Sequence, residues 1–155
     1  MIMNEKYDST QDTYKHIDRV KELIDEFRVD LKYSGVLHDR SKLTGIERDI
    51  FNKITPRLKT LTYGSDEYNA SLVEMGPALD HHYLFNSHHP EHYKNGIDGM
   101  NFIDIVEMLC DWKAATERHD NGNIMKSIEI NTKRFNLNPQ LVNIMKNTIE
   151  QMGWE

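Results

Sequence analysis

The apolar residues of this chain recur at helical spacing along almost its whole length, and this regularity limits the possible folds more than any other feature. Over residues 10–31 the apolar side chains follow one another in steps of three and four, which places them on one face of an amphipathic helix: Ile17, Val20, Ile24, Phe27 and Leu31. No segment survives as a candidate strand, because apolar–polar alternation is missing. We therefore predict an all-α fold.

Turn and cap residues divide this pattern into six or seven helices. A short apolar turn through residues 36–37 ends near the sequence HDRSK, and the next helix, around residues 46–54, is expected to close at Thr55. The reason is Pro56, since the residue before a proline is biased away from helical backbone. TYGS, at residues 62–65, is predicted to form a loop.

The second half of the chain is predicted to hold four helices. The first runs from Asp66 to about Asn86 with a bend at Pro77, whose ring removes one backbone donor and clashes with the preceding turn. The second runs from Phe102 to Arg118. The last two cover about residues 123–135 and 139–152, and the final helix has Asn138 as N-cap, Pro139 at its first position and Gly153 just past its end.

Length and composition fit one globular domain over residues 1–155, with 38% hydrophobic and 28% charged residues. The formal charge of −6 and the scattered basic residues argue against duplex nucleic acid as a partner. No stretch approaches the ~18 apolar residues of a membrane span, and the first residues lack the order of a signal peptide. A cytoplasmic location is therefore expected. The single cysteine, Cys110, excludes an internal disulfide and a cysteine-based zinc site.

Histidines are concentrated in one short region. Of the eight in the chain, five fall between residues 81 and 92, and the stretch FNSHHPEHY at residues 85–93 holds three of them. Neutral imidazole is the commonest metal ligand in proteins. The cluster therefore points to a metal site.

Carboxylates suited to complete such a site occur in two places. His38 and Asp39 are adjacent at a predicted helix end, where consecutive side chains can converge on one ion or on neighbouring ions. Asp104, Glu107 and Asp111 form an acidic stripe on the helix from Phe102. A buried stripe of this kind needs compensating charge, and bound cations would supply it. Imidazole and carboxylate together suit Mn, Fe, Co, Ni or Zn.

In this order the residues resemble the HD-domain superfamily of metal-dependent phosphohydrolases, a helical fold whose ligands occur as His, His-Asp and Asp. The matching residues are His16, His38, Asp39 and Asp111, and the resemblance covers about residues 10–118. The chain is also similar to small HD-like proteins of phages and bacteria that have no assigned activity, through HDRSK followed by Glu47, NSHHPEH and EMLCDWKAA.

A narrower similarity concerns the multinuclear branch of this superfamily, which includes the HD-GYP phosphodiesterases and diiron oxygenases. HDRSK is similar to the HDxGK pattern, which implies that Lys42 lies near the scissile phosphate. NSHHPEHYKNGIDG resembles the paired-histidine motif through His88 and His89, and His82 or His81 would supply the remaining histidine. The proline of the GYP signature is absent, so cyclic-dinucleotide specificity is not implied.

The resemblance thus implies two divalent ions, with Asp39 as the ligand that both share. The seven predicted metal ligands are His16, His38, Asp39, His82, His88, His89 and Asp111. Two such ions activate a water and clamp the phosphoryl oxygens during in-line displacement.

Four further residues are assigned supporting roles. Lys42 lies one turn beyond Asp39 and would place a charge on the substrate phosphate, and Arg118, two turns beyond Asp111, would bind another phosphate. Glu47 or Glu107 would orient a ligand histidine.

Three classes of function remain open on the sequence alone. We favour a hydrolase that acts on a nucleotide-like phosphate ester, with Asp39 and Lys42 as its catalytic residues. The alternatives are a diiron oxygenase with similar ligands and a non-catalytic, metal-stabilised binding module. Metal identity and dioxygen dependence separate the two enzymes.

Overall fold

The described part of the chain is built from helices. The computed structural model describes residues 7–58, 60–61, 65–118 and 122–155. The α-helices of these residues are α1 (Thr10–Leu37), α2 (Gly45–Leu58), α3 (Asp66–Phe85), α4 (Phe102–Thr116), α5 (Ile124–Phe135) and α6 (Pro139–Met152). Short 3₁₀ turns cover Arg40–Leu43, Pro90–His92 and Gly96–Gly99. No strand occurs among the described residues, and the predicted all-α fold of about six helices is confirmed.

α1 is longer than the sequence pattern indicated. The predicted helix over residues 10–31 and the apolar turn at residues 36–37 form one continuous helix that passes through Gly35. A glycine inside a helix costs only about 1 kcal/mol relative to alanine, so it need not interrupt a long helix.

The predicted end of the second helix was also wrong. The helix does not close at Thr55 but continues through Pro56 to Leu58. The bias that proline imposes on the preceding residue is a preference, and near a helix end the loss of one backbone donor is tolerated. The predicted helix from Asp66 to about Asn86 is confirmed as α3, which continues through Pro77 to Phe85. Residues 62–64 of the predicted TYGS loop lie outside the described residues.

α4, α5 and α6 surround the main hydrophobic core. Its buried residues are Met108, Leu109, Trp112, Ile124, Ile128, Leu137, Met145 and Ile149. The rings of Trp112 and Phe135 are parallel, with centroids 6.3 Å apart. This core fixes the buried face of α4, so the helix can offer its other face to α1.

The first three helices make two further packing contacts. α2 lies against α3, with Ile54, Met75 and Ala78 buried, and the C-terminal part of α1 packs on α4. The ends of α1 and α3 therefore meet α4 in one region. In the parts of the chain that the structure describes, no helix has both the length and the apolar character needed to cross a membrane.

Candidate metal centre

His38 and Asp39 lie where α1 ends. The amide of His38 donates to the Ser34 carbonyl at 2.8 Å, and Asp39 then takes a left-handed backbone with φ of 56°. Aspartate tolerates this conformation better than most residues do. Because the chain turns sharply there, both side chains reach the same place, and His38 Nε2 lies 3.5 Å from Asp39 Oδ2.

Three histidines come from the end of α3 and the turn that follows it. His82 lies in the last turns of α3, and the amide of His89 donates to the Asn86 carbonyl at 3.3 Å. This turn brings His89 back to α3, so that the Nε2 atoms of His82 and His89 are 2.8 Å apart. His82 and His88 are each only 2% exposed. Because the chain turns back after α3, His82 and His88 can reach the same cluster although they are close in sequence.

α4 contributes Glu107 and Asp111, one turn apart on the same face. Asp111 Oδ1 lies 3.6 Å from His38 Nε2. The third member of the predicted acidic stripe, Asp104, has a different role: it forms a capping box with Asn101 at the start of α4. It therefore belongs to the helix cap, while Glu107 and Asp111 belong to the cluster.

These side chains form overlapping groups that could hold metal ions. Within each group, one nitrogen or oxygen atom from each residue lies within 4.8 Å of the others. The groups are Asp39 with His82, His88 and His89; His38 with Asp39 and Asp111; and His38 with His88 and Glu107. Asp39 belongs to the first two groups, so it lies where the predicted ligand common to both ions would be.

Glu107 orients two of the imidazoles. The Nδ1 atoms of His38 and His88 both lie 2.8 Å from Glu107 Oε1, and the Ser34 hydroxyl donates to Oε2. Each Nδ1–H is thereby bound to the carboxylate, which leaves the two Nε2 atoms directed into the cluster. A carboxylate behind a histidine is the usual arrangement around metal ligands.

Glu47 plays the same part for α3. It is fully buried, its Oε2 lies 3.0 Å from Nδ1 of His82, and it accepts from the Ser41 hydroxyl at 2.9 Å. Its other oxygen lies 2.6 Å from Nδ1 of His81. His82 Nε2 faces the cluster, whereas His81 belongs to none of the groups among the described residues. Of these two candidate ligands, the structure therefore places His82 in the cluster.

Two buried polar atoms in the cluster lack a hydrogen bond. They are Asp39 Oδ1 and His88 Nε2, which lie 3.7 Å apart. His82 Nε2 is 3.3 Å from the same Asp39 oxygen but is not in hydrogen-bonding geometry with it. Buried polar atoms are nearly always paired, so two unpaired ligand atoms facing each other indicate space for a bound group.

The model of a family of unknown function, DUF5662, matches residues 5–151. The chain belongs to that family. No curated protein and no solved structure matches it.

The electrostatics of this DUF5662 member divide the histidines into two kinds. The neighbouring carboxylates of Asp111 and Glu107 raise the pKa of His38 to about 10. Burial instead lowers the pKa of His89 to about 3, and the nearby His88 and His82 lower it further. The pKa of His82 is also lowered, chiefly by burial. His82 and His89 are consequently neutral at physiological pH, as metal binding requires.

The carboxylates are ionised. Burial raises the pKa of each carboxyl group, but the neighbouring groups more than offset this effect. Lys42 and then His38 hold the pKa of Asp39 below its ordinary value, and His38 does the same for Asp111. Hydrogen bonds from His38, His88 and Ser34 hold the pKa of Glu107 well below its ordinary value.

His16 is the one predicted ligand that the structure does not bring to the cluster. It lies on the exposed N-terminal half of α1. Since α1 is continuous, the Cα atoms of His16 and His38 are about 33 Å apart, at ~1.5 Å of rise per residue. Within one chain, His16 therefore cannot share an ion with His38.

The two predicted phosphate-binding residues differ in their placement. Lys42 Nζ lies 2.6 Å from Asp39 Oδ2, at the edge of the cluster. Arg118 was placed on the Asp111 face of α4 on the assumption that the helix continues, but α4 ends at Thr116 and Arg118 follows in an exposed turn. Arg118 therefore lies outside the helix on which its predicted position depended.

Sequence reasoning missed the hydrogen-bonding residues around the ligands. Asn86 donates to the His82 carbonyl at 2.7 Å and to the Ser41 hydroxyl at 2.8 Å. Ser87 and Tyr93 donate to Asp104 and tie the histidine turn to α4. Asn86 and Ser87 stand inside the sequence NSHHPEH, beside the ligands, and this adjacency was the available signal.

Proposed function

We propose that this protein is a metal-dependent phosphohydrolase with two divalent ions. The observation that carries the proposal is the convergence of four imidazole Nε2 atoms and two aspartates, with carboxylates holding the imidazoles from behind. The donor set suits Mn, Fe, Co, Ni or Zn. The unpaired Asp39 Oδ1 and His88 Nε2 support the fit, because a cation would satisfy both.

The residues divide into two ligand sets that share Asp39. His38 and Asp111 would hold one ion, and His82, His88 and His89 would hold the other. When bound, such ions lower the pKa of a water nucleophile and stabilise charge on phosphoryl oxygens. The resemblance of the motif HDRSK to the HD superfamily supports the same chemistry.

Lys42 would bind the substrate phosphate. Its ammonium group already contacts Asp39 and lies 5.8 Å from the centre of the Phe51 ring. A phosphate oxygen that reaches Asp39 would meet this cation. The substrate class that fits best is therefore a small phosphate ester, for which we propose a nucleotide-like molecule.

The test combines elemental analysis with a hydrolysis assay on protein that carries no histidine tag. About two equivalents of metal and turnover of p-nitrophenyl phosphate or nucleotides are expected for the wild type. Asp39→Ala should lose both while keeping its helical circular dichroism. The matched control is Asp49→Ala, since Asp49 is an exposed residue of α2 that pairs with Arg48 outside the cluster.

The results of these assays distinguish the hydrolase from the binding module and from the diiron oxygenase. Full turnover in Asp39→Ala, or no metal after loading, would overturn the proposal, and the latter would favour a binding module. Bound iron with an oxo-bridge absorption band and turnover that requires dioxygen would replace the hydrolase with a diiron oxygenase.

A further inference from the structure

The N-terminal half of α1 has an apolar face that nothing in the described chain covers. Over residues 10–30 every side chain is exposed, although apolar residues recur there at the spacing of one helix face. The exposed stripe consists of Ile17, Val20, Leu23, Ile24 and Phe27. Leu31, Ser34 and His38 continue it along the same helix face, and there α4 packs against it.

A cavity lies beside the covered end of this stripe. Its volume is about 340 Å³, and the C-terminal part of α1 and the facing side of α4 line it. Its wall is mainly apolar or small, with Leu31, Gly35, Val106 and Ala114. A Cβ atom added at Gly35 would meet nothing within 4 Å. The cavity therefore has room for side chains of another helix, and His38 and Asp111 lie at one end of it.

We propose that the stripe and the cavity are the two halves of one homodimer interface. The N-terminal half of α1 from one copy packs antiparallel against α1 and α4 of a second copy, and the reverse contact forms at the same time. A twofold axis near residues 24–27 satisfies both contacts, as a closed symmetric dimer requires. The proposal concerns assembly and does not depend on the proposed phosphohydrolase activity.

The positions of the apolar residues along α1 determine the register, that is, which residues of the two antiparallel α1 helices stand opposite each other. With the axis between Ile24 and Phe27, Val20 stands opposite the partner's Leu31 and Ile17 opposite the partner's Ser34, so apolar side chains enter the cavity. A register one heptad lower would set residues 10–13 there, which are Thr, Gln, Asp and Thr. The apolar cavity therefore excludes the lower register, and a register one heptad higher would place Ile17 opposite residue 41, beyond the end of α1 at Leu37.

The same register gives His16 a position near the cluster. It stands opposite the partner's Gly35, one turn before the partner's His38. Helical side chains lean toward their own N-terminus, and in an antiparallel pair this direction leads to the partner's His38 end. The imidazole would face the carboxylates of Glu107 and Asp111 at the cavity. A second copy would therefore bring an imidazole to the end of the cavity where Glu107 and Asp111 lie.

The area is sufficient for a weak but specific dimer. The five side chains of the stripe together with Leu31 and Val106, at ~50 Å² to lose from each, give ~350 Å² of apolar area per copy. At ~60% apolar content this corresponds to ~1,200 Å² over both copies, the lower end of specific interfaces. The dimer is therefore expected to depend on concentration.

Sedimentation over a series of concentrations tests the dimer. The wild type should approach twice the chain mass of 18.2 kDa, and Ile24→Asp should stay at the monomer mass. The matched control is Val29→Asp on the opposite face of α1, because Val29 is 58% exposed and Ile24 is 61% exposed. A wild type that remains monomeric, or equal effects of both substitutions, would overturn the proposal.

A cross-link tests the register, because the native Cys110 lines the cavity. In Val20→Cys, mild oxidation should join the new thiol to Cys110 of the other copy and give a covalent dimer on a non-reducing gel. Val29→Cys should give none, and Val20→Cys combined with Cys110→Ser should lose the product. Within one chain, the continuous α1 keeps these positions beyond the ~7 Å Cα separation of a disulfide. An intrachain cross-link, or no product, would overturn the pairing.

Discussion

At the residue scale, Glu107 holds two imidazoles and a serine hydroxyl at once. Replacing it with glutamine keeps the shape but removes the charge that accepts from Nδ1 of both His38 and His88. We expect Glu107→Gln to weaken metal binding by about 10–100-fold, the usual effect of removing a carboxylate behind a ligand histidine. Competition with a chromophoric chelator measures this affinity.

Glu117→Gln is the matched control. Glu117 follows α4 directly, and its exposed side chain pairs with Lys113. Its replacement should leave metal affinity unchanged. Equal affinities in the two variants would show that Glu107 does not orient the ligands.

We expect metal binding to depend on pH through His38. Nearby carboxylates raise its pKa from 6.5 to about 10, so the metal-free protein carries a proton there at neutral pH. In the metal-free protein, the attraction between protonated His38 and these carboxylates stabilises the fold. This stabilisation is fully present below pH 6.5 and is lost as the pH rises through about 10. Metal binding through Nε2 must displace the proton, so affinity should rise with pH over this window.

Calorimetric titration in two buffers with different ionisation enthalpies measures the released proton. For the ion that His38 binds, the observed binding enthalpies should differ by about the difference between the ionisation enthalpies of the two buffers, as the release of one proton requires. His38→Ala should remove this difference. Identical enthalpies in both buffers for the wild type would contradict the assignment.

The sequence identified candidate ligands where residues with metal-binding side chains are neighbours in the chain. His38 and Asp39 stood out because an imidazole and a carboxylate are adjacent in the chain, and His88 and His89 stood out because histidines are concentrated around them. The carboxylates that accept hydrogen bonds from these histidines were harder to assign. The sequence does not distinguish a helix glutamate that contacts a histidine from one that is exposed to solvent. Only the packing of α1 on α4 shows that Glu107 faces His38.

At the element scale, α4 anchors the turn that carries His88 and His89. Asp104 accepts from Ser87 at 2.6 Å and from Tyr93 at 2.7 Å, one on each side of these histidines. It also completes the capping box of α4. We expect Asp104→Ala to lower the free energy of unfolding by about 1–3 kcal/mol and to weaken metal binding as well.

The control for this prediction is a cap that lies away from the cluster. Asn123 caps α5 by accepting from the Lys126 amide at 2.9 Å. Asn123→Ala should cost about 1 kcal/mol in urea unfolding and leave metal affinity unchanged. If both substitutions changed only stability, the anchoring role of Asp104 would be wrong.

The helix boundaries show what local sequence can predict. α5 and α6 begin and end within one residue of the prediction, because cap residues and Gly153 mark them. α1 was divided wrongly and α2 was ended too early, since glycine and proline change the free energy of a helix by only a few kcal/mol. Packing against neighbouring helices can exceed that cost, and the sequence alone does not show those neighbours.

At the scale of the whole molecule, the cluster joins helices that are distant in sequence. The ends of α1 and α3 and one face of α4 supply the side chains that could hold a metal, and without a cation the region buries an unpaired Asp39 oxygen and an unpaired His88 nitrogen. The order of the motifs along the chain predicted which residues would meet. The placement of His16 could not be predicted, because one uninterrupted helix separates it from His38.

Metal binding should therefore stabilise the whole fold. An ion present at ~1,000 times its dissociation constant adds about 4 kcal/mol to the free energy of unfolding. For a chain of this size, each kcal/mol shifts the melting temperature by ~2–4 °C, so chelation should lower it by about 8–16 °C. Differential scanning calorimetry before and after chelation measures the shift. Asp39→Ala should melt at the same temperature with and without chelator, since it has lost the ligand that both ions share. A wild-type shift that this variant reproduced would mean that the stabilising ions bind elsewhere.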